Sequence, residues 1–339
     1  MASASTQLEQ RRRIYDAVAT RLAAMSDEQL ARMTAADATS WRASVHGSHS
    51  GVIEIENMKV FVKKISLTDL ERAAGSRQST ANLFELPEFY QYGVGSAGFG
   101  AWRELKACLK AGAWAHSGEC PHFPFVYHWR VLHRAMHPPL PPELQAWLDQ
   151  APSYWDNSSA VRARLEAISA ASASIVLFLE YVPETLRELL KPRLNDAAPD
   201  ADLERAILGA HEQLRDTAAF MKERGMLHFD LNASNLLTNG EQIYVADFGL
   251  AICSDFDLSP TERTFCETHR FYDRWYAAWV FAEGLAPLAT TVKLTPALRA
   301  LTDRYTPVAM IMRRFFETLR KDSKMTPFPA AELEAALPE

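Results

Sequence analysis

The period of the apolar positions changes several times along the chain. Residues 5–35 place Leu, Ala and Met at helical spacing behind two capping boxes, Thr6 to Glu9 and Ser26 to Gln29. The spacing predicts a helical extension packed on the body of the protein. From Trp41 the period shortens to two. GVIEI (51–55) and KVFVKKI (59–65) read as strands joined at Glu56-Asn57. Thr68 to Glu71 caps a short helix, and the Gly-rich YGVGSAGFG (92–100) leads into a strong helix, AWRELKACLKAG. PHFPFVYHWRVL (121–132) is strand-like, and residues 134–172, Pro-rich and then helical, read as an insertion. SIVLFLEYV (174–182) is a continuous apolar strand, the pattern of a strand buried on both faces. PETLRELL (183–190) and DLERAILGAHEQLRDTAAFMKERG (202–225) return to helical spacing.

The stretch HFDLNASNLL (228–237) is followed by Asn239-Gly240 and then by EQIYVADFG (241–249). Asn-Gly between two apolar runs predicts a hairpin. Asp230 then lies on the loop before the hairpin, Asn235 near its first strand and Asp247 at the end of its second. Folding back brings three polar groups to one end. Ser259 to Glu262 is a further capping box, with Pro260 at the first helical position. It predicts one helix, TERTFCETHRFYDRWYAAWVFAEG (261–284), starting about a dozen residues past Asp247.

Composition narrows the function class. The chain has 339 residues, 48% of them apolar, enough for two lobes or two domains. A net charge of −6 argues against nucleic acid and suits a cationic ligand. No apolar run approaches the roughly 20 residues needed to span a bilayer. Arg11 to Arg13 are not followed by an apolar signal core. The four cysteines form no CxxC pair, as expected for reduced thiols in a cytoplasmic protein. Cys266 and His269, three apart on a predicted helix, could share a metal, although two ligands do not close a zinc site.

Two carboxylates and an amide oxygen converging in one place suit Mg²⁺, which takes oxygen ligands and keeps waters and substrate phosphates in its shell. A carboxylate left nearby can accept the proton of an attacking hydroxyl, the equipment of phosphoryl transfer. HxDxxxxN, with DFG about a dozen residues on, resembles the catalytic core of the protein-kinase-like superfamily, which includes protein kinases and aminoglycoside and choline phosphotransferases. The resemblance implies that Asp230 is the catalytic base, that Asn235 and Asp247 hold the metal, and that His228 supports the loop. VFVKK resembles the family's nucleotide-lysine strand, with Lys63 reaching the phosphates, Lys64 competing for the role, and Glu104 as ion-pair partner. FLEYVPETL resembles the hinge, where backbone groups of Glu180 and Val182 bind adenine. Gly47 and Gly51 bracket an irregular phosphate-covering loop. The resemblance covers roughly residues 41–285 and implies ATP and Mg²⁺ as cofactors.

The fold it implies is α+β and bilobal: a helical extension at 1–40, a small antiparallel β lobe at 41–179 with the insertion at about 134–172, and a mainly helical lobe at 180–339. The implied function is transfer of the γ-phosphate to a hydroxyl acceptor. Oligomeric state is not legible. Several departures shape the acceptor. Phe229 replaces the Arg that many protein kinases pair with a phosphorylated activation loop, and Asn232 replaces the Lys of Ser/Thr kinases. The short span before Pro260 leaves no room for a long activation segment, and no A-P-E triplet follows, so a small-molecule acceptor in a pocket closed by helices is expected. Asp255, Asp257, Glu262, Glu267 and Asp273 are either solvated faces or a negative surface that attracts a cationic acceptor such as an aminoglycoside or another amine. The DFGLA wording keeps a serine/threonine protein kinase with a reduced activation segment as an alternative. The irregular Gly loop and Asn232 keep a nucleotide-binding pseudokinase or scaffold as another. Gly93 to Gly100 matches a phosphate loop better than residues 47–51 do. Standing where it does, it reads as a flexible lid or the lead-in to a helix, with phosphate contact as the sharper alternative.

Overall fold

Glu56 and Asn57 both adopt left-handed dihedrals, with φ of 51° and 60°. Two such residues in sequence close the type of two-residue turn whose twist matches that of paired strands. They join β2 (Ser48–Ile55) to β3 (Met58–Leu67), with Ile55 opposite Met58. These features belong to a computed structural model that describes residues 4–35, 41–43, 48–133, 146, 149–151, 153–193, 201–291 and 294–337. The chain divides into two compact units, Met1–Tyr181 and Val182–Glu339. Each mixes helices with small antiparallel sheets, in keeping with an α+β class.

In the first unit, β1 (Arg42–Ala43), β4 (Val126–His133) and β5 (Ala173–Glu180) complete a five-stranded sheet of order β1-β2-β3-β5-β4. All its neighbours are antiparallel. The continuous apolar strand is β5, an inner strand, with Ile175 to Phe178 at most 1% exposed. Adjacent residues of a strand face opposite sides, which separates the two candidate lysines. Lys63 Nζ lies 2.6 Å from Glu104 Oε1. Lys64 donates to the carbonyl of Thr34 and lies 4.4 Å from the centre of the Trp41 ring.

The N-terminal residues form α1 (Ala4–Ala23) and α2 (Asp27–Met33). The Ser26–Gln29 capping box forms, whereas Thr6 sits inside α1, which begins two residues before it. Arg11 grips the Glu180 carboxylate at 2.7 and 2.9 Å and donates to the carbonyls of Pro121 and Phe123. Arg12 donates to the carbonyls of His116 and Ser117. Those carbonyls end α4 (Ala101–Ser117), where a helix has no N–H donors of its own for its last oxygens.

The start of α4 is fixed by a buried carboxylate. Glu71, in α3 (Asp69–Arg72), is 2% exposed. Its Oε2 accepts from Thr68 N at 3.0 Å, from Thr68 Oγ1 at 2.7 Å and from Arg164 Nη1 at 3.0 Å. Its Oε1 accepts from Ala101 N, the first residue of α4, at 2.7 Å. Arg164, also 2% exposed, comes from α5 (Ser159–Ala170). The Gly-rich stretch is therefore the lead-in to a helix. Gly93, Gly95 and Gly98 take φ of 72°, 95° and 71°, and the amide that a phosphate would meet is given to Glu71. Of the expected insertion, residues 134–145, 147, 148 and 152 lie outside the described residues, and its far end forms α5.

The second unit begins with β6 (Glu184–Thr185), α6 (Leu186–Arg193), α7 (Ala201–Glu223) and β7 (Met226–Leu227). The expected hairpin is β8 (Leu236–Thr238) and β9 (Ile243–Val245), pairing Leu236 with Val245. Its loop holds residues 239–242 rather than Asn-Gly alone, with Asn239 Oδ1 accepting from Glu241 N and Gln242 N. β10 (Ile252–Cys253) pairs back onto β7. α8 (Pro260–Thr268), α9 (Tyr272–Thr291), α10 (Pro296–Lys321) and α11 (Ala330–Ala336) follow. The single helix expected over 261–284 is thus two, broken at residues 269–271. The break puts Asp273 in the first turn of α9, where its carboxylate meets a different part of the chain. Among the described residues no helix is long and apolar enough to cross a membrane.

Removing one partner of a buried ion pair strands the other. Glu71→Ala leaves the Arg164 guanidinium and the Ala101 amide without their acceptor, and is expected to destabilise the protein by about 3 kcal/mol or more. Urea unfolding of the variant measures it. A change below about 1 kcal/mol, the scale of an exposed pair, would show that Glu71 does not hold this corner.

Candidate functional site

Met226 and Leu227 pair with β10, and the chain leaves β7 directly into His228. His228 is fully buried, and both ring nitrogens are engaged. Asp230 N donates to Nδ1 at 3.2 Å, and Nε2 lies 3.1 Å from the carbonyl oxygen of Ala246. The first bond requires an unprotonated Nδ1, so Nε2 carries the hydrogen donated to Ala246. One imidazole thus ties the loop bearing Asp230 to the residue preceding Asp247. Asn235 O accepts from Ala246 N at 2.9 Å, which brings the two ends of the hairpin together.

The Asp230 carboxylate is held at both oxygens. Oδ1 accepts from Asn232 Nδ2 and Oδ2 from Asn235 Nδ2, each at 2.8 Å. The same Asn235 nitrogen reaches the Asp230 carbonyl at 2.9 Å. Both atoms it meets are acceptors, so the amide must point its nitrogen there, and its oxygen stays available to a further donor or a cation. Asn232 turns its own oxygen to Ser234 N at 2.9 Å. The neutral residue standing in place of Lys is therefore an orienting group for Asp230. An ionised carboxylate offers about four lone-pair sites, so two amide bonds do not by themselves fill it. Asp247 is exposed, and its Oδ1 accepts from Gly249 N at 3.3 Å.

Two residues at this end sit in left-handed conformations that side chains seldom adopt: Phe229 and Asp247, each with φ of 64°. Phe229 is fully buried, its ring 4.4 Å from that of Tyr272 and 5.6 Å from that of Phe265. Asp273 holds the same segment from behind. Its Oδ2 accepts from His228 N at 2.6 Å and its Oδ1 from Phe229 N at 2.9 Å. Burial pushes the Asp273 carboxyl up to about 6, against the lowering effect of those two bonds, and the charge of Asp230 adds to the rise.

Asp273 was legible only as one of five acids read as solvated faces or as an attraction for a cation, and two of the five, Glu262 and Asp273, are buried. Glu262 is 6% exposed and closes its own capping box with Ser259. Glu267 pairs with Arg270 at 2.9 Å, and Asp273 faces backbone amides. Glu262 and Asp273 are thus committed within the protein, whereas the Glu267 pair is exposed. His269 is likewise built in: Nδ1 lies 2.7 Å from the Phe265 carbonyl oxygen, and burial pushes its imidazole down to about 4. Among the described residues no group of three or more His, Cys, Asp or Glu could hold a metal ion by themselves.

The first unit places the other predicted residues. Lys63 and Glu104 form the ion pair described above, with side chains 11% and 9% exposed. Gly51 lies within β2, opposite Val62, and Gly47 lies outside the described residues. Glu180 ends β5. Its amide donates to the Phe125 carbonyl at 2.9 Å, so any adenine contact by its backbone falls to its carbonyl. Val182 opens the second unit, in extended chain before β6.

Two curated relatives share local sequence with this chain, the serine/threonine-protein kinase ICK of Rattus norvegicus and that of Mus musculus. Each is 32% identical over 116 residues. The aligned stretch is 34% of this chain but only 16% of either relative. No family model matches the chain. The local similarity points to a protein-kinase-like relationship for that third of the chain, and through it to phosphotransfer.

The raised Asp273 carboxyl has a signed consequence. Between about pH 4 and about pH 6 the folded protein keeps a proton there that the unfolded chain has released, so this group's contribution to stability declines as pH rises through that window. Asp273→Asn removes the titration. The difference in unfolding free energy between wild type and variant should therefore shrink as pH rises from 4 to 6.5, measured by denaturant titration at each pH. A flat difference would place the carboxyl at its ordinary value.

Proposed function

We propose that this chain is an ATP- and Mg²⁺-dependent phosphotransferase that moves the γ-phosphate onto a hydroxyl group of a small molecule. The two units are read as the small and large lobes of a protein-kinase-like fold. The observation that carries the reading is the Asp230 carboxylate, fixed at both oxygens by amides of Asn232 and Asn235. A base so oriented keeps lone pairs for the acceptor's hydroxyl proton without turning away from it.

Asn235 and Asp247 offer an amide oxygen and a carboxylate, hard donors of the type Mg²⁺ prefers, so they fit the metal. When bound, Mg²⁺ would neutralise charge on the β- and γ-phosphates. Lys63, kept extended by Glu104, binds the phosphates as a point charge, and the Glu180 carbonyl and the Val182 backbone take adenine. His228 keeps Asp230 and Asp247 in register through Ala246. A small acceptor is favoured because only residues 254–259 separate β10 from α8, which leaves little chain to build a peptide platform. The local similarity to ICK kinases favours the second reading, in which the acceptor is a protein hydroxyl.

An ATP-consumption screen over aminoglycosides, nucleosides, sugars, amino alcohols and peptides decides between the two. With the acceptor found, Asp230→Asn should lower kcat by about 10²–10⁴ while leaving ATP affinity unchanged. Full turnover in that variant would remove Asp230 from the chemistry.

A further inference from the structure

A cavity of about 320 Å³ opens in the second unit between the β7–β10 pair and α8. That is within the range of small-ligand pockets, about 300–1,000 Å³. Its floor is apolar: Met226, Leu227, Ile252 and Leu258 are at most 8% exposed. Its back wall is closely packed. Ser254 N donates to Gly225 O at 2.7 Å, and Gly225, with φ of 71°, could not carry a Cβ without a shift, since Ser254 Oγ would lie 2.2 Å and Ser254 Cβ 2.9 Å from it.

The rim has the opposite charge sign to the chain as a whole. Lys222, Arg263 and Arg270 line it, against one carboxylate, Glu267. Glu267 is committed to Arg270. The Arg263 guanidinium makes no hydrogen bond or ion pair among the described residues. Lys222 and Arg270 both lie against the Phe271 ring, 4.1 and 4.9 Å from its centre. Arg270 is already met by Glu267, so the net positive charge of the rim comes from Lys222 and Arg263. The chain carries −6 overall, so a cationic rim here is a local feature, not a consequence of composition.

From the apolar floor and the cationic rim we infer that this cavity binds a small soluble amphiphilic anion: a carboxylate, sulfonate or phosphate carried on an apolar body. The acid group sits at Lys222 and Arg263, and the body covers Leu227 and Ile252. Leu227 directly precedes His228, so an occupant bears on the segment that holds Asp230. The inference is independent of the proposed phosphotransfer.

Anilinonaphthalene sulfonate, an aromatic sulfonate, is a direct probe. The full chain is titrated with it under saturating ATP and Mg²⁺, which keeps the dye out of any nucleotide site. Saturable binding is expected, weakened about tenfold to a hundredfold in Arg263→Glu and in Lys222→Glu. Uncharged phenylnaphthylamine should bind more weakly than the sulfonate by a similar factor. Cys266 lines the cavity and is the cysteine that is not buried, so its alkylation by iodoacetamide should slow when the dye is bound to the wild-type chain. That measurement needs no variant. Equal dye affinity in Arg263→Glu with unchanged near-UV circular dichroism, equal affinity for the neutral dye, or unprotected Cys266 would each overturn the inference.

Discussion

A carboxylate taken out of water must be met by donors, and in both units the donors include backbone amides of a segment that carries candidate site residues. Glu71 does this for α4 and so sets the axial position of Glu104 and, through it, the Lys63 ammonium. Asp273 does it for His228 and Phe229 and so sets the Asp230 loop. The two acids differ in compensation. Glu71 has a buried guanidinium beside it as well as amide and hydroxyl donors. Asp273 receives two amides and has the Asp230 charge nearby, and burial pushes its carboxyl up to about 6. A raised value marks a charge whose burial is only partly offset.

Much of the local architecture was legible in the sequence because local chemistry decides it. Glu56-Asn57 closes its hairpin, Ser26 and Ser259 cap their helices, and the apolar run at 174–178 is an inner strand. What was not legible rests on contacts far apart along the chain. Glu71 reads as half of a capping box, and it is one, yet its partners Ala101 and Arg164 lie 30 and 93 positions away. Asp273 reads as a charge on an aromatic helix, because nothing in the sequence breaks that helix. There is neither Gly nor Pro between Thr261 and Ala282, and the interruption at residues 269–271 follows from packing. Lys63 and Lys64 could be told apart only by the face each takes on β3.

At the candidate site the pattern of types was readable, but the reasons for its departures were not. Asn232 looked like a lost cation. It is a donor to Asp230 Oδ1 and an acceptor for Ser234 N, a pairing that Lys, with no acceptor, could not make. The Gly-rich stretch read as a lid or a helix lead-in, with phosphate contact as the sharper alternative, and the first amide of the helix it enters is given to the Glu71 carboxylate.

Phe229 is the departure with the widest consequence. A left-handed backbone at a bulky residue costs on the order of 1–3 kcal/mol and persists only where its surroundings over-determine it. Here the amide is fixed by Asp273 and the ring by stacking on Tyr272 and Phe265. Aromatic pairs of this type contribute about 0.5–1.5 kcal/mol each beyond the area they bury. His269 and Phe328 extend the same stack, with ring centres 4.4 Å apart. An Arg at position 229 would need a counter-charge to stay in this place. Phe needs only the apolar wall that α8 and α9 supply, so packing and the Asp273 bonds hold the Asp230 loop. The broken helix, the buried acid and the missing basic residue are in this sense one solution. Aromatic faces and two amide hydrogen bonds do the work that an ion pair would otherwise do.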